Sequence, residues 1–564
     1  MKKFFSISTI ICCLLALFLL SGCSMDGKEY PSLSVEISKG DSAREIHAYW
    51  NDDTCYLYLP SYCSALESRS GLQDITIAFN GSRALSIDGT DIDSYTSLPN
   101  QGTHTLTVRG NSYDLLVYYS SGVGTIFIDT ESGNMDAIYA DDTYKEESAI
   151  TVYDPQGNLD YASSKDKLKI RGNSTATKKK KPFTMQLDKR ASILGLPVSK
   201  KYVLLSNAYD RSALRDVLYK ELAADMDFSY AASNTYADVY LNGEYNGMYV
   251  LSEKYAPEEG RPDLGADSFL CSIELSDNLK EGDTTVDSLI QDVFLIEYPT
   301  ALNHAQLKDI ENILQRFERA LLADDGIDPK TGLSLYEMID LDSFAKGYII
   351  DEVCANADAS LASSYLYYNA QDGLLYKGPV WDGDRTFGNQ RANSNPKALS
   401  TASGHGLKMQ LTTYYALLLE KEEFLDAVYD IYESYDFKSI LNSHINDLED
   451  KIKTAKVMDD ARWGTGYSKI EEIYETQVIT ADDLKNYIDK RIDFLDRVFD
   501  GHFNDYATVY VFEGESDVNY YYETVKKGTI FTPEDSSLTY INIDTGETVD
   551  FTGPVTENIA VRTE

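Results

Sequence analysis

The sequence predicts an α+β fold with two lobes, because a region rich in strand patterns is followed by a region rich in helix patterns. Short β-rich runs dominate from residue 124 to about residue 255, and apolar residues recur at helical spacing from Gln306 onward. Helical patterns cover residues 342–354, 411–435, 437–456 and 481–499. A cleft between two such lobes commonly binds a small ligand. We therefore expect one domain over residues 124–503, with a β-rich first lobe and a helical second lobe.

Two smaller β-rich regions flank this domain. Short alternating runs between residues 30 and 123 are separated by turn signals such as Asn80-Gly81, which is typical of a small all-β sandwich. After residue 506 the pattern becomes β-rich again, and the ending resembles a single unit of the Listeria–Bacteroides (internalin B-type) surface repeats. We therefore predict a β-sandwich at 30–123 and a β-grasp-like repeat at 506–564.

The N-terminus has the pattern of an export signal. Two lysines precede an apolar run over residues 4–20 that is too short for a dependable membrane span. Leu20-Ser21-Gly22-Cys23 resembles the bacterial lipoprotein cleavage box, which implies removal of residues 1–22 and lipidation of Cys23. We expect a protein anchored by lipid at the outer face of the bacterial cytoplasmic membrane. An ordinary signal peptide with an incidental cysteine is the alternative.

Composition narrows the classes of partner and site. The net charge of −40 argues against nucleic acid and anionic lipid surfaces as partners. Six histidines and the lack of a Cys-x-x-Cys pair give no sign of a zinc site. Beyond the signal, the cysteines are too few for a disulfide framework. Cys55 and Cys63 are spaced so that they can pair, but we expect mostly reduced, structural thiols.

Positive charge is concentrated in one segment of this acidic chain. Between Lys165 and Arg215 there are fourteen Lys or Arg residues and three Asp residues. This excess calls for an anionic ligand or for a compensating acidic neighbour.

Inside that segment, a small turn has the residue types of a phosphate site. Arg171, Gly172, Asn173 and Ser174 follow a predicted strand, and a run of four lysines ending at Lys181 begins the next one. Glycine and small hydroxyl residues in a turn expose backbone N–H groups that can hold phosphate oxygens. Arg171 adds a bidentate donor and Lys181 a movable charge. A solvated basic hairpin is the alternative.

Carboxylates stand at two later turns. Asp382 and Asp384 lie one residue apart directly after an apolar run, and Mg²⁺ usually binds through one or two carboxylates, water and substrate phosphates. The same pattern occurs in surface turns. Asp358 follows a predicted helix on a polar loop, where catalytic groups concentrate, although a plain turn residue also fits.

Taken in order, these segments resemble the CotH kinase family, the spore coat protein H-like secreted kinases, over about residues 125–499. The resemblance rests on Arg171-Gly172-Asn173-Ser174, Lys180-Lys181-Pro182-Phe183, Tyr209-Asp210-Arg211-Ser212 with Leu214-Arg215, Tyr240-Leu241-Asn242-Gly243-Glu244-Tyr245, Asn356-Ala357-Asp358, and Gly378-Pro379-Val380-Trp381-Asp382-Gly383-Asp384. It implies an atypical protein-kinase-like fold and transfer of phosphate from ATP to Ser residues of surface proteins.

The resemblance also implies roles for single residues. Asp358 would orient the acceptor hydroxyl or accept its proton, and Asp382 would be the main ligand of Mg²⁺ (or Mn²⁺), with Asp384 beside it. The ATP phosphates would lie near Arg171, Asn173, Ser174 and Lys181. Glu253 is expected near adenine, because it ends a strand at the lobe boundary. The acidic surface favours basic or Ser/Thr-rich acceptor proteins.

Departures from the family pattern leave alternatives open. Gly383 stands where the family often has a larger, commonly aromatic residue, and is expected to loosen the loop. Arg385 stands where a small or apolar residue is usual, and it can pair with an aspartate in competition with the metal. Ser363 occupies the position where common protein kinases place a metal-binding Asn. A catalytically inactive surface adhesin or scaffold, and a kinase with a non-protein acceptor such as a glycan or polyphosphate, are the alternatives.

Overall fold

The computed structural model describes residues 30–564 with gaps at 40–41, 64–74, 83, 95–96, 173, 277–278, 291–292, 357–358, 360–363, 390–403, 405, 410–412, 465–478, 501–504 and 515–519. Cys23 and the signal segment, Asn173 and Asp358 therefore lie outside the described residues.

The chain divides into two compact units. The first comprises Met1–Ser206, Asn234–Glu253 and Asp450–Gly466, and the second comprises Asn207–Ser233, Lys254–Glu449 and Tyr467–Glu564.

The first unit consists mainly of β-strands. They are β1 Leu33–Lys39, β2 Ser42–His47, β3 Tyr49–Asn51, β4 Thr54–Leu59, β5 Ile75–Gly81, β6 Leu85–Ile87, β7 Thr90–Asp91, β8 Gly102–Val108, β9 Asn111–Tyr119, β10 Gly124–Thr130, β11 Glu146–Tyr153, β12 Leu159–Ile170, β13 Phe183–Ala191, β14 Ser199–Leu205, β15 Asn234–Leu241 and β16 Glu244–Glu253. A short helix, α1 (Asp136–Ala140), follows β10.

Seven of these strands form a sheet that closes on itself. The strands pair in the order β14-β13-β12-β11-β10-β15-β16, and β14 also pairs with β16, which makes a closed barrel. Apolar side chains that alternate along the strands fill its interior, such as Ile126 on β10 and Phe183 and Met185 on β13. Asn242 and Gly243 form the turn between β15 and β16, and both have positive φ, as a tight hairpin requires.

The residues before the barrel form two groups of strands. β1, β2 and β5 extend the barrel sheet beyond β16, where Glu244 is in register with His47. The others form a second sheet in the order β3-β4-β9-β8-β6-β7. One hydrophobic cluster includes residues of both groups together with Phe127 and Tyr240 of the barrel. A separate sandwich module at 30–123 stays a prediction. Cys55 and Cys63 are buried free thiols.

Asp238 on β15 gives the first unit a predicted dependence on pH. Its side chain is buried, Tyr245 Oη donates to Oδ1 at 3.2 Å, and burial raises its pKa from 3.8 to about 7. Between these two pKa values the folded protein holds a proton that the unfolded chain releases. The free energy of unfolding should therefore fall by about 2–4 kcal/mol as pH rises from 4 to 7, and stay level above 7.

Asp238→Asn should remove this slope. The measurement is the urea midpoint of both proteins between pH 4 and 8, with Asp142→Asn at an exposed position as the matched control. Parallel curves for the wild type and Asp238→Asn would contradict the prediction.

The second unit combines helices with two sheets. Its helices are α2 Arg215–Asp225, α3 His304–Leu322, α4 Leu341–Cys354, α5 Thr413–Leu418, α6 Glu422–Glu433, α7 Phe437–Trp463, whose residues from Asp450 onward belong to the first unit, and α8 Ala481–Asp500. Its strands are β17 Phe269–Glu274, β18 Thr285–Asp287, β19 Val293–Tyr298, β20 Ser364–Asn369, β21 Leu374–Lys377, β22 Tyr506–Phe512, β23 Tyr520–Lys526, β24 Tyr540–Asn542 and β25 Ile559–Thr563.

The helical patterns at 342–354 and 481–499 are confirmed in this unit, whereas the pattern at 411–435 is divided between α5 and α6. On α3 the predicted face is buried at Ile310, Leu314 and Phe317. The mixture of helices and several sheets agrees with an α+β class. Within the part of the chain that the structure describes, none of the helices has the length and apolarity to cross a bilayer.

The last four strands pair in the order β23-β22-β25-β24 and belong to the second unit. Tyr510 and Tyr522 from this sheet are buried, and Tyr510 Oη donates to the carbonyl oxygen of Leu407 at 3.1 Å. Leu407 N donates in turn to Thr524 Oγ1 at 2.7 Å. These contacts join the sheet to the segment before α5. Its identity as a surface repeat stays a prediction.

Candidate active site

Residues 381–388, named here the aspartate loop, follow β21 in the second unit. Asp382 is exposed and adopts a left-handed backbone conformation with φ 62° and ψ 56°. Gly383–Arg385 form one turn of 3₁₀ helix, and Asp384 is half-buried. A non-glycine residue in this conformation persists where its surroundings hold it, and such residues cluster at functional sites.

One face of helix α2 holds the start of the loop. Asp216 Oδ1 accepts a hydrogen bond from the backbone N–H of Gly383 at 3.0 Å. Lys220 Nζ lies 2.6 Å from Asp216 Oδ2 and 5.0 Å from the centre of the Trp381 ring. A Cβ atom placed on Gly383 would lie 2.7 Å from Cβ of Tyr219. Residues three and four apart share a helix face, so one face of α2 supplies all three contacts.

The expectation that Gly383 loosens the loop is therefore wrong. The backbone N–H of Gly383 is hydrogen-bonded to Asp216, and its Cα packs against the buried side chain of Tyr219. Tyr219 occupies the space that a side chain at this position would need. Glycine is required here because of this close approach.

The end of the loop is held by Arg215, which is also buried. Its Nε donates to the carbonyl oxygen of Thr386 at 3.0 Å and its Nη2 to that of Phe387 at 3.4 Å. Asp210 Oδ1 lies 2.5 Å from Arg215 Nη1. Asn389 Nδ2 donates to the carbonyl oxygen of Asp384 at 2.6 Å. The motif around Asp210 and Arg215 therefore fixes the backbone of the loop.

The donor set of the aspartate loop fits a divalent cation. Asp382 and Asp384 offer carboxylate oxygens one residue apart, and Mg²⁺ needs one or two carboxylates with water and phosphate oxygens. Among the described residues, no group of three or more His, Cys, Asp or Glu side chains is arranged to hold a metal ion. A cation bound at this pair would complete its coordination with further oxygen ligands, such as water and phosphate oxygens.

Arg171, Ser174 and Lys181, three of the four predicted phosphate-binding residues, lie in one turn of the first unit. Arg171 N donates to the carbonyl oxygen of Pro182 at 3.1 Å, which closes the turn. Lys181 Nζ donates to the carbonyl oxygen of Ala176 at 2.6 Å, and Ser174 is exposed. The strand predicted to start at Lys178 begins instead at Phe183, after a proline that has no N–H for a sheet hydrogen bond.

Lys180 has a different role from its neighbours in the lysine run. Its side chain is buried, and Nζ lies 2.7 Å from Asp459 Oδ1 and 2.6 Å from the carbonyl oxygen of Met248. Burial lowers the pKa of Lys180, and the Asp459 carboxylate opposes this shift. It is a structural cation of the first unit, and nothing in four consecutive lysines distinguishes it.

The predicted site residues fall into three groups. Arg171, Ser174 and Lys181 share the turn after β12, and Glu253 is a buried residue at the end of β16, in register with Tyr202 of β14. The turn and Glu253 belong to the first unit, whereas Asp382 and Asp384 belong to the second. The sequence did not indicate Asp216, Tyr219 or Lys220. Their spacing of three and four residues, which places them on one face of a helix, was the available signal.

Comparison with known proteins identifies one family. A family model described as "CotH kinase protein" matches residues 168–495, which is more than half of the chain. The match contains both the turn after β12 and the aspartate loop. None of the curated proteins matches the chain.

Proposed function

The chain belongs to the CotH kinase family, and on that premise we propose that it transfers the γ-phosphate of ATP to Ser or Thr hydroxyls of surface or secreted proteins. Membership of this family implies kinase-type chemistry, and kinases in general use ATP and a divalent metal ion. The acceptor class, the metal and the roles of single residues are proposed here.

The aspartate loop carries the proposal. Asp382 is exposed and held in a left-handed conformation by a loop whose backbone is bonded to Asp216, Arg215 and Asn389. A plain surface turn does not need buried charged side chains to fix it. Phosphoryl transfer, in contrast, depends on rigid positioning and on neutralisation of charge, so the geometry supports a metal ligand at Asp382.

In the proposed reaction the acceptor oxygen forms a bond to the γ-phosphorus, and the bond from that phosphorus to the bridging oxygen of ADP breaks. Asp358 orients the hydroxyl or takes its proton. Asp382 and Asp384 would hold Mg²⁺ or Mn²⁺, and the bound ion would supply neutralisation of charge on the phosphates. Arg171, Asn173, Ser174 and Lys181 bind phosphate oxygens, and Glu253 contacts the adenine side of the nucleotide.

The proposed setting is outside the cell. Lipidation at Cys23 would anchor the protein to the outer face of the cytoplasmic membrane. The net charge of −40 favours basic or Ser/Thr-rich acceptors and disfavours nucleic acid. Transfer assays that offer surface proteins and extracted glycans side by side distinguish a protein acceptor from a glycan acceptor.

Nucleotide-dependent thermal stability tests the proposal. ATP with Mg²⁺ should raise the melting temperature of the wild type, because a ligand that binds only the folded state stabilises it. The shift should shrink strongly without Mg²⁺ and in Asp382→Ala. Asp482→Ala, at a side chain with 87% exposure on α8, is the matched control and should behave like the wild type. A wild type with no shift would indicate a scaffold or adhesin and contradict the proposal.

A further inference from the structure

A buried polar cluster in the second unit surrounds Asp351 near the end of α4. Its carboxylate oxygen Oδ1 accepts hydrogen bonds from Tyr219 Oη at 2.7 Å and from Asn356 Nδ2 at 3.0 Å. Oδ2 accepts from Tyr415 Oη at 3.3 Å. The four side chains, named here the Asp351 cluster, are all buried. A carboxylate away from water is tolerated because donors satisfy it, so these partners are held in fixed positions.

Tyr219 connects the cluster to the aspartate loop. Its hydroxyl donates a hydrogen bond to Asp351, and its ring packs against Gly383, the residue between Asp382 and Asp384 in the sequence. Burial and the Asp351 carboxylate raise the pKa of Tyr219 well above its ordinary value, so the hydroxyl stays protonated and donates. A single rigid side chain therefore spans from Asp351 to the loop.

Asn356 connects the cluster to the end of α4. Helix α4 ends at Cys354, and the next residue, Ala355, has a positive φ of 48°. Asn356 N then donates to the carbonyl oxygen of Asp351 at 2.9 Å. Asn356 stands two positions before Asp358 in the sequence. The backbone N–H of Phe387 donates to the carbonyl oxygen of Cys354 at 2.7 Å, so the same helix end also contacts the aspartate loop.

Lys377 of β21 is a basic residue whose charge interacts with the Asp351 carboxylate. Burial lowers the pKa of Lys377, and the Asp351 carboxylate opposes the shift. Its Nζ donates to Ser364 Oγ at 3.0 Å, at the start of β20. The charge of Lys377 offsets part of the cost of burying Asp351.

We propose that Asp351 is a positioning residue for phosphoryl transfer, which it serves through Tyr219 and Asn356 by fixing the aspartate loop relative to the end of α4. The proposal rests on the proposed function and adds a residue to it. Asp351 acts through its neighbours, in the way that partners of metal-binding carboxylates orient them.

Two tyrosine variants test the proposal without breaking the core. Tyr219→Phe removes the hydroxyl that donates to Asp351 and keeps the ring that packs on Gly383. Tyr414→Phe removes a buried hydroxyl outside the Asp351 cluster, which donates to Glu318 Oε1 at 2.7 Å. Tyr219→Phe should lower kcat by about 10- to 100-fold, with little change in KM for ATP, and should weaken Mn²⁺ binding. Tyr414→Phe, the matched control, should keep kcat and Mn²⁺ affinity near those of the wild type.

Mn²⁺ binding is measured directly, by electron paramagnetic resonance of free Mn²⁺ in the presence of ADP, so that one readout does not depend on turnover. Asp351→Asn should lower kcat as Tyr219→Phe does, and the double variant should lose little more, because the two residues act as one unit. If the two tyrosine variants behave alike in kcat and Mn²⁺ affinity, the positioning role is wrong while the proposed function stands. A wild type that neither binds Mn²⁺ with ADP nor transfers phosphate overturns both proposals.

Discussion

Asp382→Asn is expected to reduce phosphate transfer from labelled ATP by about 10²–10³-fold, because it removes the exposed carboxylate assigned to the metal. The amide has nearly the same shape and can keep the left-handed backbone conformation, so the folded structure should persist. The measurement is the initial rate of labelling of a basic, Ser-rich acceptor protein, with circular dichroism to confirm folding.

Two further variants make the Asp382 result specific. Asp384→Asn should lower the rate by a smaller factor, because the half-buried Asp384 is assigned the second metal ligand. Asp482→Asn on the exposed face of α8 should leave the rate unchanged. Equal labelling by the wild type and Asp382→Asn would show that this carboxylate does not hold the metal.

Arg491→Met is expected to lower the free energy of unfolding of the second unit by about 3–5 kcal/mol, because it leaves a buried carboxylate without its cation. Arg491 is buried on α8 and pairs with the carboxylate of Glu352, which is also buried. Arg491 Nη1 donates to the carbonyl oxygen of Gly404 at 3.2 Å, and Glu352 Oε2 accepts from Met409 N at 2.8 Å. One ion pair therefore joins α4, α8 and the segment before α5.

Thermal and urea unfolding measure this effect. Lys485→Met on the same helix is the matched control, because its pair with Glu449 is solvent-exposed and such pairs contribute about 0–1 kcal/mol. Adding Glu352→Gln to Arg491→Met should recover part of the loss, since no charge is then buried alone. A double variant that loses the sum of both single effects would contradict the account of an unpaired buried charge.

The local patterns of the chain predicted most of the secondary structure. The apolar spacing on α3 is confirmed. The turn between β15 and β16 falls at Asn242-Gly243, a residue pair that favours a tight hairpin. The helical pattern at 411–435 is interrupted, and α5 and α6 are separate helices with Lys421 between them. Lys421 Nζ donates to the carbonyl oxygen of Ala323 at 2.6 Å, a partner that is distant in sequence and invisible to a local pattern.

The candidate site was only partly predictable. The residue types and spacing of Asp382 and Asp384 indicated a metal-binding pair, and the glycine turn indicated a phosphate site. The pattern gave the wrong physical role to Gly383, because the space that Tyr219 fills is decided by a helix more than 150 residues earlier in the chain. Lys180 is likewise indistinguishable from Lys181 in the sequence, because its partner Asp459 is distant along the chain.

By itself, the sequence determined the α+β class, the order of the strand-rich and helical regions and the residues that could bind metal and phosphate, because these depend on periodicity and residue chemistry. The tertiary structure decided which charged residues are buried supports and which are exposed. Arg215, Asp216 and Asp351 are buried and bonded, whereas Asp382 is exposed on the loop that two of them hold. That distinction depends on contacts between residues far apart in the chain, which local pattern does not encode.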